Sequence, residues 1–126
     1  MAEGLARKML GTRISVESAG TNAHRGSASS LAVEVMRSRF AIDISTHNSR
    51  NVKDVRVNDF DYVVAMDDTV ADDLRSMYPD INAKLFSWNI DDPIGRGVEA
   101  YEESAREIHK QIEELSVWIK EKEQKG

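Results

Sequence analysis

Asp61-Tyr62-Val63-Val64-Ala65-Met66-Asp67-Asp68-Thr69 is the stretch that decides the fold class. Asp61 to Met66 is a compact β-branched run. It has the look of a strand buried on both faces. Asp67-Asp68-Thr69 follows at once and supplies N-cap chemistry for a helix reaching about Met77. A buried strand feeding directly into a capped helix is the repeating unit of a parallel sheet with crossover helices.

Working outward, the same alternation continues on both sides. Downstream, Lys84 to Trp88 reads as a further short strand. Beyond it, Tyr101, Ala105, Ile108, Ile112, Leu115 and Ile119 recur at spacings of three and four, which predicts one long amphipathic helix from about 98 to 121. The stripe spans less than three heptads, so packing on a sheet is preferred over a coiled-coil partner. His109, in the charged middle of that helix, reads as a solvated side chain. Upstream, Ser27 to Phe40 reads as a helix with Leu31, Ala32, Val35 and Met36 inward. Arg13 to Ser18, carrying Ile14 and Val16, reads as a strand, and Met1 to Leu10 as a helix with Leu5, Ala6, Met9 and Leu10 on one side. The expectation is one domain over residues 1–126, three-layer α/β, with strands near 13–18, 61–66 and 84–88. Three short strands make a narrow sheet. The chain also opens inside a helix with no cap residue ahead of it. Either the fold begins with a helix, or a first strand is missing in front of Met1.

The whole chain sets further bounds. Its 126 residues suit one core, with 40% apolar and 31% charged residues in the ordinary range for a globular protein. A net charge of −5 argues against a nucleic-acid partner, which would need a basic face. No apolar run approaches the ~20 residues of a membrane span, and no signal peptide is read at residues 1–11. A cytoplasmic location without membrane association is the resulting expectation. The sequence contains no cysteine. Disulfides, thiolate metal sites and a cysteine nucleophile are therefore excluded within these residues, and no metal or cofactor is expected.

In an open α/β sheet, ligands bind at the carboxyl ends of the strands. Three segments fall there: Ser18-Ala19-Gly20-Thr21, then Asp67, then Asn89-Ile90-Asp91-Asp92-Pro93-Ile94-Gly95. Each has a plain reading as well, as a tight turn, a helix cap or an Asp-Pro turn starter. Taken in order, and with the segments around them, they resemble the low-molecular-weight phosphotyrosine phosphatase family, whose fold is shared with one class of arsenate reductases. Met1-Ala2-Glu3 resembles the start of the helix that follows the family's phosphate loop. Ser18-Ala19-Gly20-Thr21 resembles its second strand end, and Ala23-His24-Arg25-Gly26 matches a loop with an aromatic before a glycine. Ile42-Asp43-Ile44-Ser45-Thr46-His47-Asn48-Ser49-Arg50, the Met66-Asp67 strand end and the Asp92-Pro93 loop complete the order.

The resemblance implies a phosphotyrosine-phosphatase-like fold and phosphomonoester hydrolysis through a cysteinyl-phosphate. It assigns Asp92 as general acid and base, Ser18 and His47 as residues bracing the phosphate loop, and His24 and Ile94 as pocket wall. His24 stands where the family has an aromatic, and Ile94-Gly95 where phosphotyrosine-directed members often carry Tyr-Tyr, which leaves phosphotyrosine, phosphoarginine and other substrates open. The family's Cys-x5-Arg-Ser-Pro loop and the strand before it have no counterpart here, so the chain as written is expected to be inactive. A phosphorylated protein or a small phosphomonoester is the expected substrate once such a loop is restored. A non-catalytic binding or assembly module is the alternative, and an arsenate reductase-like protein a second one. In the family the missing strand lies between those at 13–18 and 61–66. Self-association or a strand swap is then an expected way to cover the exposed edges.

Overall fold

The structure is a computed structural model that describes residues 1–11, 14–20, 29–47, 50–93 and 95–125. The chain divides into two compact units. The first comprises residues 1–18, 28–47 and 93–126, and the second residues 19–27 and 48–92.

The first unit is helical. Helix α1 runs over Ala2–Leu10, α2 over Ser30–Phe40 and α4 over Val98–Lys125. Ser29 starts α2 as its N-cap, its Oγ accepting the Ala32 N–H at 3.2 Å, and the same hydroxyl bonds the Tyr101 hydroxyl on α4 at 3.2 Å. The expected α4 stripe is buried at Tyr101, Ala105, Ile108, Ile112 and Ile119. Inside the unit it packs with α1 and α2, whose buried residues are Leu5, Ala32, Val35 and Met36.

The second unit contains the parallel sheet. Strand β1 (Val63–Ala65) pairs with β2 (Leu85–Ser87), Val63 opposite Leu85, Val64 opposite Phe86 and Ala65 opposite Ser87. Pairing continues past β2, where Trp88 and Ile90 donate to the carbonyls of Ala65 and Met66 at 2.8 and 2.9 Å. Helix α3 (Asp68–Met77) forms the crossover, capped by Asp67 Oδ1 accepting from Val70 N at 2.8 Å. Ala65, Ala71, Leu74 and Ile81 form the core with Val52 and Val57. Lys84 belongs to a short 3-10 turn (Ile81–Lys84) rather than to the strand. Its ammonium donates to the carbonyls of Val57, Asn58 and Phe60 at 3.1, 3.1 and 2.8 Å, satisfying the end of another 3-10 turn, Val57–Asp59.

The strand expected at 13–18 is the clearest departure. Ile14 falls in a bend and residues 15–18 join no ladder among the described residues, and Arg13 lies outside the described residues. Backbone groups in this stretch are met by α1 side chains instead. Arg7 Nη2 and Nε donate to the Val16 carbonyl at 3.0 and 3.3 Å, and Ser18 N donates to Glu3 Oε1 at 3.0 Å. Gly20 then makes an isolated parallel bridge with Asn51, its N–H donating to Arg50 O at 2.9 Å and its carbonyl accepting from Val52 N at 3.0 Å. No helix of the described residues is long and apolar enough to cross a membrane.

Candidate active site

Glu3 joins the two residues expected to brace a phosphate loop. Oε1 of Glu3 accepts the Ser18 N–H at 3.0 Å, and Oε2 accepts from His47 Nδ1 at 2.9 Å. The carboxylate is 11% exposed and the imidazole 26%, so both bonds are sheltered from water. Arg7, one turn along α1, lies 3.5 Å from the same carboxylate, which offsets its negative charge. Glu3 also sits in the first turn of α1, where a carboxylate is favoured by the helix dipole. The imidazole is thus held by Nδ1, which leaves Nε2 as the nitrogen able to meet a third group.

The His47 turn is built by its own sequence. Asp43 Oδ1 accepts the Ser45 N–H at 2.9 Å, an Asx turn, and His47 N donates to Ile44 O at 3.0 Å. Hydrogen bonds from the Ser45 hydroxyl and then from the Ser45 backbone hold the Asp43 carboxyl below the usual aspartate value. Gly4 lets this turn approach α1. A Cβ at Gly4 would stand 2.8 Å from Ile44 Cγ2 and 3.3 Å from Ile42 Cγ2. Those methyls sit on β-branched side chains with little rotamer freedom, so glycine is what places Glu3 within reach of His47.

Asp92 lies in the second unit, exposed, on the segment that leaves β2 after Ile90. A turn follows in which Arg96 N donates to Pro93 O at 3.0 Å. His24 and Ile94, the expected pocket wall, lie outside the described residues. Among the described residues no group of three or more His, Asp or Glu could hold a metal ion.

The sequence profile described as "Low molecular weight phosphotyrosine protein phosphatase" matches residues 1–125. The chain belongs to this phosphatase family. It is 33% identical over 113 residues to arsenate reductase 2 of Staphylococcus haemolyticus, covering 90% of this chain and 82% of the relative. Among solved structures, the low molecular weight protein tyrosine phosphatase from T. tengcongensis is 33% identical, with a TM-score of 0.82 over 90% of this chain and 86% of its own. The YwlE arginine phosphatase from Geobacillus stearothermophilus is 25% identical, with a TM-score of 0.87 over 98% of this chain and 86% of its own. These likenesses establish the fold class: a small parallel sheet with flanking helices, as in the low molecular weight phosphatases.

Ser18 and His47, both expected from the sequence, meet on Glu3, a residue to which the sequence reading gave no role. The signal was present. An acidic residue in the first turn of α1, four residues before Arg7, belongs to the opening Met-Ala-Glu that carries the family resemblance.

Proposed function

We propose that this chain carries the proton-transfer and positioning parts of a phosphomonoester-hydrolysing site, and that these 126 residues do not turn over substrate by themselves. The carrying observation is the Glu3 carboxylate shared by Ser18 and His47. It fixes Ser18 and the His47 ring at the first turn of α1, where the family's phosphate loop leads into its helix, and leaves His47 Nε2 as the nitrogen to meet that loop. In this reading Ser18 and His47 brace that loop. Asp92 protonates the leaving oxygen and then helps water attack the phosphoenzyme. The thiolate that attacks the phosphoryl group is not among these residues, since the sequence has no cysteine. The substrate is a phosphorylated protein side chain or a small phosphomonoester, and the setting is the cytoplasm.

The test uses 4-nitrophenyl phosphate. The chain alone is expected to give no turnover above a buffer blank. Fusion of a strand and a Cys-x5-Arg-Ser-Pro loop ahead of Met1 is expected to restore hydrolysis. In the restored protein Asp92→Asn is expected to lower kcat by ~10²–10⁴. Turnover by the unmodified chain that Asp92→Asn abolishes, or an unchanged rate in the restored variant, would refute the assignment.

A second reading, arsenate reduction, is favoured by the Staphylococcus relatives named as arsenate reductases. The thioredoxin-coupled kind uses additional cysteines after the loop, and this chain has none, so hydrolysis is preferred. The third reading, a non-catalytic assembly module, shares one expectation with the first. A parallel strand edge left without a neighbour would invite pairing, and in this reading the 126-residue chain self-associates or exchanges a strand. Light scattering at micromolar concentration showing only a cooperatively melting monomer would remove that expectation.

A further inference from the structure

An open surface depression of about 560 Å³ lies on the helical unit, lined by Lys8 and Met9 of α1, Ser38, Arg39 and Phe40 of α2, Ala41, and His109 of α4. Its volume falls within the ~300–1,000 Å³ of small-molecule sites. Lys8, Arg39 and His109 bring N–H donors to it, with the carboxylates of Glu102 and Glu113 bonded to Arg39 and His109.

Among the described residues each of these three heads has one bonded partner and further donors. Lys8 Nζ donates to the Phe40 carbonyl at the end of α2, leaving two of its three N–H groups. Arg39 directs Nε and Nη2 to one oxygen of Glu102, at 3.2 and 3.1 Å, leaving Nη1. His109 Nδ1 meets Glu113 at 2.7 Å, leaving Nε2, and its ring stacks on Phe40 with centroids 5.9 Å apart. His109, expected to be solvated, keeps 39% of its side chain exposed. Anchored donors lose little freedom when an anion arrives. Met9, Phe40 and Ala41 supply an apolar surface beside them.

We propose that this depression binds a small organic anion with a flat apolar body, its phosphate or carboxylate head taken by the spare donors of Lys8, Arg39 and His109 and its body laid against Met9, Phe40 and Ala41. The site is independent of the Glu3, Ser18 and His47 cluster and does not rest on the proposed hydrolysis.

The experiment is a titration of the 126-residue chain followed by amide and imidazole NMR, with 4-nitrophenyl phosphate as probe and inorganic phosphate and 4-nitrophenol as separate arms. Saturable shifts centred on Phe40, Ala41 and His109 are expected, with the complete probe binding several-fold tighter than either half. Lys8→Gln combined with Arg39→Gln is expected to weaken the probe about tenfold or more, the usual weight of charged hydrogen bonds. Ser38→Trp, which keeps every charge and fills the depression, is expected to block binding and serves if the double variant fails to fold. Shifts centred elsewhere, no saturation, inorganic phosphate binding as tightly as the probe, or a folded Ser38→Trp variant that binds as before would each overturn the proposal.

Discussion

Residues 14–18 and Val63–Ala65 both read as strands, and only the second becomes one. Ile14 and Val16 alternate with polar residues as cleanly as any half-buried strand. Val63 to Ala65 shows no alternation at all. The difference lies in what meets the backbone. At β1, β2 lies alongside in register and the ladder runs on through Trp88 and Ile90. At 16 and 18 the carbonyl of Val16 and the N–H of Ser18 are met by the side chains of Arg7 and Glu3. Side-chain pattern states which faces are apolar, whereas a strand exists only where another backbone supplies the complementary groups. Side chains of a helix can satisfy the same groups without making a sheet.

The largest expected effect breaks the ladder side of this comparison. Trp88→Pro removes the N–H that meets Ala65 O at 2.8 Å and also deletes a buried indole. Loss of a large aromatic costs about 3–5 kcal/mol and an orphaned buried carbonyl about 1–3 kcal/mol. The sum, on the order of 4–8 kcal/mol, rivals the ~5–15 kcal/mol stability of a whole domain. Urea unfolding followed by near-ultraviolet circular dichroism should show the cooperative transition collapse. A loss below about 1 kcal/mol would mean that the ladder is not what holds residues 63–65.

A smaller effect breaks the other side. Glu3→Ala leaves the Ser18 N–H and His47 Nδ1 without their shared acceptor. Each orphaned donor costs about 1–3 kcal/mol where water is scarce. Partial exposure of the imidazole discounts the second, giving a loss of about 2–4 kcal/mol. Amide exchange at Ser18 should accelerate at the same time, while exchange across β1 and β2 should not follow it. Equal acceleration in both places, or wild-type stability, would show that Glu3 is not what holds residue 18.

These two regions also mark how far the sequence could be read. Capped or periodic elements were legible. Asp67 capping α3, the helix ending at Met77 and the α4 stripe from Tyr101 to Ile119 stand as expected. Ser18 and His47 were legible through the order of motifs and do share one carboxylate. What was not legible depends on partners remote in sequence. That Arg7 reaches residue 16, that Lys84 closes the carbonyls of a turn 24 to 27 residues earlier, and that Gly20 pairs with Asn51 are three-dimensional facts with no local signature. The packing of the α4 stripe on α1 and α2 belongs to the same class, because an apolar stripe names a buried face without naming its neighbour.

The smallest expected effect sharpens the comparison at the turn that carries His47. Here too a side chain does what a backbone partner would do, with Asp43 accepting from Ser45. The Ser45 hydroxyl first, and the Ser45 N–H second, hold the Asp43 carboxyl below its ordinary value, with an opposing contribution from desolvation and a smaller favourable one from Arg37. A carboxyl whose folded pKa is depressed contributes stability that is fully present above the unfolded value, near 3.9, and is lost as pH falls through the folded value. The turn is therefore expected to hold unchanged from neutral pH down to about 4 and to loosen only in stronger acid. The Ser45 amide resonance should then move toward its random-coil position, and exchange at His47 N–H should quicken as its bond to Ile44 O weakens. Asp43→Asn keeps an acceptor oxygen and removes the titration, so its Ser45 amide should stay fixed over the same range. A Ser45 resonance that titrates alike in both proteins would assign the acid sensitivity to another group, and would leave this turn held by its backbone bond alone.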